Sequence, residues 1–228
     1  MKIDFHTHIM PALDHGSDSL KTSLAQIELI KRSGTDIVVS TSHFYPHRHS
    51  VSAFLEKRAL AAAELAAAIG DGAPRIALGA EVLLCDNIDK MPGIESLCIE
   101  GTRCILLELP FAGWRHEHFT AIEAIRDRLG LVPILAHIDR YPKENIERVF
   151  SRGLKFQMNA PAFLSLFGSK KYFEYAERDE AVALGSDIHG TNGYNEFDKA
   201  CKKLAARGLY ENIMERSEAL LDGARFIN

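Results

Sequence analysis

Pairs of metal-binding residue types mark both ends of the chain. The first is the sequence HTH at residues 6–8, and the last is DIH at residues 187–189. Side chains two residues apart on a β-strand project to the same side, so each pair can present two ligands toward one point. Imidazole and carboxylate groups suit divalent ions such as Mn²⁺, Fe²⁺ or Zn²⁺, and ligand type alone does not choose among them.

Four motifs between those pairs end in the same kinds of residue. The sequence reads TSH at 41–43, GAE at 79–81, LLE at 106–108 and LAH at 135–137. One such residue at a strand end is usually an ordinary polar group, but a whole series is hard to explain as core packing, because buried imidazole and carboxylate are costly unless paired or coordinated. A buried ion-pair network would need interleaved cations, and only Arg140 lies beside these motifs. A metal site is the better explanation.

The apolar pattern predicts strands that alternate with helices. Strands are predicted at residues 2–6, 36–40, 75–81, 104–109, 132–137, 155–159 and 181–187. Helices are predicted at residues 20–33, 52–69, 117–129, 143–151, 163–177 and 194–206. Such alternation is typical of parallel βα units, which build active sites at the C-terminal ends of their strands. It favours α/β architecture as a small or distorted barrel over an open sheet, within one domain spanning residues 1–228.

Composition narrows the classes of partner. The chain has 228 residues, 46% of them hydrophobic, and a formal net charge of -4. This balance argues against a basic surface for nucleic acid. No apolar run approaches the ~20 residues of a membrane span, and the N-terminus lacks the apolar region of a signal peptide. We therefore expect a cytoplasmic protein with no nucleic-acid partner and no membrane insertion.

The ordered set of motifs HxH, TSH, GAE, LELP, AHIDR and SDIH resembles the PHP (polymerase and histidinol phosphatase) family over essentially the whole chain. Within that family, HTHIMPALDHG, ILAHIDRY and FQMNAPAF are similar to the bacterial manganese-dependent tyrosine-protein phosphatases of capsule and exopolysaccharide operons. The resemblance implies the PHP fold, a distorted TIM-like barrel of seven βα units. It also implies a site for three divalent ions, Mn²⁺ above all, at the C-terminal face of the strands.

Carried over position by position, the resemblance implies a set of metal ligands. They are His6, His8, His15, His43, Glu81, Glu108, His137, Asp187 and His189. The tyrosine phosphatases usually have Asp-Asp-Gly where this chain has DHG at 14–16, so Asp14 is the alternative to His15. Arg140 is expected to hold phosphate oxygens as the catalytic arginine, with a surface arginine at the next helix as the alternative.

The implied activity is metal-dependent hydrolysis of a phosphomonoester, with a metal-bridging hydroxide as nucleophile. The expected substrate is a phosphotyrosyl protein, a tyrosine kinase that regulates capsule or exopolysaccharide synthesis. Two alternatives stay open: a small-molecule phosphatase such as histidinol phosphatase, and a non-catalytic metal-binding interaction module. The second phosphate-binding arginine of the tyrosine phosphatases falls at or near Tyr194 here. The HRH sequence at residues 47–49 could replace its charge or form a solvated turn, and the oligomeric state is left open.

Overall fold

The structure is a computed structural model that describes residues 1–111, 113–165 and 168–227. The strands are β1 (Ile3–Thr7), β2 (Ile37–Ser40), β3 (His43–Phe44), β4 (Arg75–Leu78), β5 (Glu81–Leu83), β6 (Cys104–Glu108), β7 (Val132–Leu135), β8 (Lys155–Asn159), β9 (Ala181–Gly185) and β10 (Phe226–Ile227). The α-helices are α1 (Leu20–Arg32), α2 (Val51–Ala68), α3 (His116–Asp127), α4 (Lys143–Phe150), α5 (Ser169–Ala176), α6 (Tyr194–Ala205) and α7 (Tyr210–Leu220).

The strands form two sheets that meet along two seams. One sheet has the order β1-β2-β4-β10 and the other β3-β5-β6-β7-β8-β9, and the pairs are parallel except β4 with β10. At one seam β2 and β4 continue into β3 and β5 after two-residue breaks. At the other, Thr7 and Ile188 form an isolated parallel bridge. The chain thus has a mixed α/β fold with parallel sheets, and closure of the two sheets into a distorted barrel stays a prediction.

The strands are buried on both faces because helices cover the outside of the sheets. All residues of β1, β6 and β9 are buried, which is typical of parallel strands between helical layers. Serine side chains fix where the first two helices begin: Ser19 accepts from the Thr22 amide and Ser50 from the Ala53 amide. No helix in the described part of the chain is long and apolar enough to cross a membrane.

Every predicted strand is present, but the helix predicted at residues 163–177 is wrong at its start. The first predicted residue, Phe163, belongs instead to a short 3-10 helix, Ala160–Phe163. Helix α5 begins only at Ser169, after Gly168 with a φ of 91°. Residues 166 and 167 lie outside the described residues. A left-handed glycine does not continue an α-helix, so the apolar pattern alone extended the prediction too far.

Candidate metal centre

Two of the predicted ligands stand on unusual backbone where their strands end. His137, just after β7, has a φ of 31°, and Asp187, just after β9, has a φ of 54°. This left-handed region is unfavourable for residues with a Cβ atom and costs about 1–3 kcal/mol, so the surrounding structure must hold both residues there. Such strain concentrates at binding and catalytic sites.

Three histidines of the cluster share one arrangement, in which Nδ1 is held and Nε2 is left for another partner. The Nδ1 atom of His6 lies 3.1 Å from Gln157 Oε1, and that of His8 lies 2.9 Å from Asp14 Oδ2. The Nδ1 atom of His189 lies 2.9 Å from the backbone oxygen two residues upstream. An acceptor at Nδ1 fixes the proton there and leaves the lone pair on Nε2, as for metal-bound histidines.

The orientation of the Gln157 amide is itself fixed by its neighbours. The backbone N–H of His137 donates to Gln157 Oε1 at 2.7 Å, while Gln157 Nε2 donates to Met158 O at 2.6 Å and to Asn159 Oδ1 at 2.8 Å. The oxygen must therefore face His6, whose Nδ1 is the protonated nitrogen. The Nε2 atoms of His6 and His8 are 3.0 Å apart. Two nitrogens at this distance repel unless a proton or a metal ion lies between them.

The ligand atoms converge in three groups, each within 4.8 Å. The groups are His6, His8 and Asp187; His8, His43 and His189; and His43, Glu81 and Glu108. Because His8 and His43 each belong to two groups, the three groups form one continuous cluster.

Glu81 lies at the centre of this cluster. Its Oε1 atom is 2.8 Å from His137 Nε2, and its Oε2 atom is 2.9 Å from His43 Nδ1 and 3.4 Å from His6 Nε2. Glu108 Oε1 is 3.6 Å from His137 Nε2. Glu81 Oε2 is also 3.4 Å from His8 Nε2. One nearly inaccessible carboxylate thus faces four imidazoles, an arrangement that suits a carboxylate shared between ions.

Several buried polar atoms of the cluster lack a hydrogen-bond partner. They are His43 Nδ1 and Nε2, Glu81 Oε2, His137 Nδ1 and His189 Nε2. His43 Nδ1 and Glu81 Oε2 are close, but their approach is not aligned as a hydrogen bond. An unpaired buried polar atom costs about 1–3 kcal/mol, and native proteins contain few. Convergent imidazole nitrogens and carboxylate oxygens without hydrogen bonds fit a site for divalent ions.

The pKa shifts report the same crowding of opposite charges. Burial lowers the pKa of His137, but hydrogen bonds to Glu108 and Glu81 raise it by more than this. The resulting pKa is about 9. Burial raises the pKa of Glu81 and Asp187, but His6 lowers both well below the usual range. Without metal, His137 therefore holds a proton where an ion would bind, so metal binding there must release a proton.

The two candidates at residues 14 and 15 differ in what they contact. The His15 ring stacks on His43 at 4.7 Å with an interplanar angle of 8°, and lies 4.6 Å from the His189 ring. Asp14 instead accepts hydrogen bonds from His8 and from the His43 backbone, both at 2.9 Å. Asp14 is thus occupied as an orienting partner. Neither His15 nor His137 belongs to the three groups found among the described residues, and the ligand roles of all nine residues stay a prediction.

Arg140 lies at the mouth of the site, on the short 3-10 helix Ile138–Arg140. Its guanidinium forms an ion pair with Asp187, and its side chain is 42% exposed. It lines a cleft of about 250 Å³ that reaches Asp187 and Tyr194, and no other arginine or lysine of the described chain lines it. Tyr194 is buried and contacts Thr35 Oγ1 at 3.1 Å, so it does not substitute for the missing arginine.

Two amides of β8 were not among the predicted site residues. Gln157 and Asn159 project to the same face of the strand, and Asn159 Nδ2 donates to Asp187 Oδ2 at 3.1 Å. The backbone N–H of Asn159 in turn donates to Asp139 Oδ1 at 2.8 Å. Two amides at alternate positions of a strand that is buried after its first residue were the available signal, because such side chains need buried partners.

Two glycines let the first-strand histidines approach their supports. A Cβ atom on Gly16 would lie 2.0 Å from His8 Cβ, and one on Gly185 would lie 2.5 Å from His6 Cβ and 2.7 Å from Gln157 Nε2. These contacts are far shorter than van der Waals separation. The close packing behind both imidazoles therefore requires glycine at each position.

Comparison with known proteins places the chain in a family. The sequence profile described as "Capsular polysaccharide synthesis, CpsB/CapC" matches residues 2–217. The chain belongs to the CpsB/CapC family. One similar relative is the tyrosine-protein phosphatase CpsB of Streptococcus pneumoniae, which is 26% identical over 96% of this chain and 98% of its own length. CpsB of Streptococcus agalactiae is 27% identical over 90% of each chain.

A solved structure shows that the fold is also shared. It comes from work on YwqE of Bacillus subtilis and CpsB of Streptococcus pneumoniae, described there as "unique metal-dependent tyrosine phosphatases". The TM-score is 0.79 at 20% identity, over 98% of this chain and 95% of the other. The CpsB/CapC fold therefore carries the histidine and carboxylate cluster described above.

Proposed function

We propose that this chain is a metal-dependent protein-tyrosine phosphatase that acts in capsular polysaccharide synthesis. One observation carries the proposal: imidazole nitrogens and carboxylate oxygens converge in a buried cluster, and several of these atoms have no hydrogen-bond partner. The family and the names of the CpsB relatives supply the reaction and its substrate class. The phosphatase of S. pneumoniae and this chain align over nearly their full lengths, which supports one shared activity and a single catalytic domain across residues 1–228.

The proposed metal ligands are the nine predicted residues, arranged around three divalent ions. They are His6, His8, His15, His43, Glu81, Glu108, His137, Asp187 and His189. The three groups of ligand atoms supply one position for each ion, and shared ligands would keep the ions close together. The mixture of nitrogen and oxygen donors suits Mn²⁺, with Fe²⁺ or Zn²⁺ as substitutes.

Bound divalent ions would supply an activated water and positive charge for the phosphoryl oxygens. The protein's own residues supply position and polarity. The Arg140 guanidinium stands at the mouth beside Asp187 and can donate to a phosphoryl oxygen, stabilising charge that develops during transfer. Asp14 and Gln157 hold the tautomers of His8 and His6, so that neither imidazole reorganises when an ion binds. A phenolate leaves without a strong acid because its conjugate acid has a pKa near ~10.

The partner and the location follow from the family as proposals. Capsule synthesis implies a phosphotyrosyl protein as substrate, and a bacterial tyrosine kinase is the expected one. A cytoplasmic location, which the sequence predicted, suits such a partner.

Hydrolysis by metal-stripped and reloaded protein tests the proposal. The protein is treated with chelator, reloaded with Mn²⁺, and given p-nitrophenyl phosphate, a phosphotyrosyl peptide, a phosphoseryl peptide and histidinol phosphate in parallel. We expect chelation to abolish hydrolysis, Mn²⁺ to restore it, and the phosphotyrosyl peptide to be favoured over the other physiological esters.

Matched histidine variants complete the experiment. His8→Ala should abolish activity, whereas His118→Ala, at a buried histidine of α3 outside the cluster, should retain it. A preference for histidinol phosphate would indicate a small-molecule phosphatase. Tight Mn²⁺ binding without hydrolysis of any ester would indicate a metal-binding module instead.

A further inference from the structure

A second concave surface adjoins the metal centre and is not used by the chemistry above. This rim groove, of about 900 Å³, lies between residues 46–52 with Leu55 on one side and residues 91–93 with Ser96 on the other. One wall is the turn that leads from β3 into α2, and the other belongs to the segment that contains the 3-10 helices Ile88–Lys90 and Ile94–Leu97.

The lining of the rim groove is apolar in its interior and cationic at its edge. Val51 is buried, and Leu55 and Met91 are half-buried. Arg48 is exposed at the edge and lies between two histidines, His47 and His49. No aspartate or glutamate of the described residues lines the groove, although the whole chain has a net charge of -4. The groove is thus a local exception to the acidic character of the protein.

A stack of side chains links the rim groove to the metal centre. The guanidinium carbon of Arg48 lies 5.1 Å from the centroid of the Tyr45 ring. The Tyr45 ring lies 5.3 Å from the ring of His43 at an interplanar angle of 15°. His43 belongs to two of the three ligand groups. The rim groove is therefore connected to the metal centre through Arg48 and Tyr45.

We propose that the rim groove binds the polypeptide that flanks the phosphotyrosine, and that it selects a segment rich in aspartate or glutamate. The inference rests on the proposed phosphatase function and adds the substrate's flanking sequence to it. The apolar interior suits the side chains of an extended peptide, and Arg48 suits a carboxylate next to them. An anionic membrane is a poorer match, since such surfaces attract clusters of about four or more basic residues.

Variants that change the charge of the groove separate peptide recognition from catalysis. Arg48→Glu removes the cation, and Ser96→Glu places a carboxylate on the opposite wall, where the serine is exposed. Arg32→Glu at the C-terminal end of α1 is the control, because it makes the same charge change as Arg48→Glu at a position that does not line the groove. Each variant is compared with wild type on a phosphotyrosyl peptide with acidic flanks, one with basic flanks, and p-nitrophenyl phosphate.

We expect the wild type to favour the acidic peptide. Each groove variant should raise the KM for the acidic peptide about three- to tenfold, because an exposed ion pair is lost or a new repulsion is added. Turnover of p-nitrophenyl phosphate, which has no flanking chain, should be unchanged in Ser96→Glu. Equal KM values for the two peptides in wild type, or equal effects of all three variants, would overturn the proposal.

Direct binding keeps this result separate from the proposed function. Fluorescence anisotropy with a labelled peptide that carries a non-hydrolysable phosphotyrosine analogue measures the same preference without turnover. Loss of affinity in the two groove variants, but not in Arg32→Glu, supports the groove even if hydrolysis fails. Unchanged affinity in both groove variants contradicts it, even if every ester is hydrolysed.

Discussion

Gln157→Met is the substitution that separates orientation of the ligands from ligation itself. Gln157 is fully buried, and its Oε1 atom accepts from His6 Nδ1 at 3.1 Å and from the His137 backbone N–H at 2.7 Å. Methionine fills nearly the same volume but accepts neither hydrogen bond well. The variant therefore keeps every proposed metal ligand and removes only the acceptor for the His6 ring and the His137 backbone N–H.

The expected magnitudes follow from those two contacts. Each buried donor that loses its acceptor costs about 1–3 kcal/mol, so the metal-free protein should lose about 2–6 kcal/mol of unfolding free energy. The His6 tautomer is then no longer fixed, and loss of such an orienting partner typically lowers metal affinity about 10–100-fold. Activity should return at saturating Mn²⁺, because the ligands themselves are intact.

Two measurements check these values. Urea unfolding in the presence of chelator gives the change in stability, and titration of stripped protein with Mn²⁺, followed by p-nitrophenyl phosphate hydrolysis, gives the apparent affinity. Ser217→Ala is the control, since Ser217 is equally buried and its hydroxyl donates to Val182 O at 2.9 Å, near the start of β9. It should cost about 1 kcal/mol and leave the Mn²⁺ titration unchanged. A Gln157→Met titration that superimposes on wild type would refute the orienting role.

Three further predictions concern the supports of the cluster and its charge. Asp14→Asn should lower Mn²⁺ affinity about 10–100-fold through His8, measured by the same titration, and an unchanged affinity would contradict this. Gly185→Ala should lower both stability and activity, since the added Cβ meets His6. Gly70→Ala is the control and should lower neither, because open space surrounds Gly70. Equal melting temperatures for the two variants would exclude the packing argument. The pKa of His137 is raised from 6.5 to about 9, so protonated His137 stabilises the metal-free protein by about 3 kcal/mol below pH 6.5, and this is lost as pH rises through 9. The increase in Tm caused by Mn²⁺ should therefore grow across that range, and an increase that is constant or falls with pH would count against the reasoning.

The fold was predictable from the sequence where elements are long and strongly patterned. The strand at residues 155–159 was predicted with the bounds that β8 has. Four elements were missed for identifiable reasons. β3 and β10 have two residues each and β5 has three, too few to show a period. Helix α7 buries Ser217 against the sheet, and a serine at a core position hides the apolar stripe that would have predicted the helix.

The site was predictable as a set of residue types, but not as a set of supports. Histidines and carboxylates at successive strand ends were visible because parallel strands bring those ends together. The roles of Gln157 and Asn159 depend on which side-chain atoms face His6 and Asp187, and no sequence period encodes that. Likewise, Asp14 was a weak ligand candidate, and only the contact with His8 Nδ1 indicates that it orients a histidine.

Anomalous diffraction from crystals grown with Mn²⁺ tests the central claim most directly. Data collected on both sides of the manganese absorption edge locate the ions without reference to the chemistry. We predict three manganese peaks within the cluster, one at each group of ligand atoms, and one of them between the Nε2 atoms of His6 and His8. Peaks confined to other parts of the molecule, or a cluster without manganese signal, would contradict the proposed metal centre.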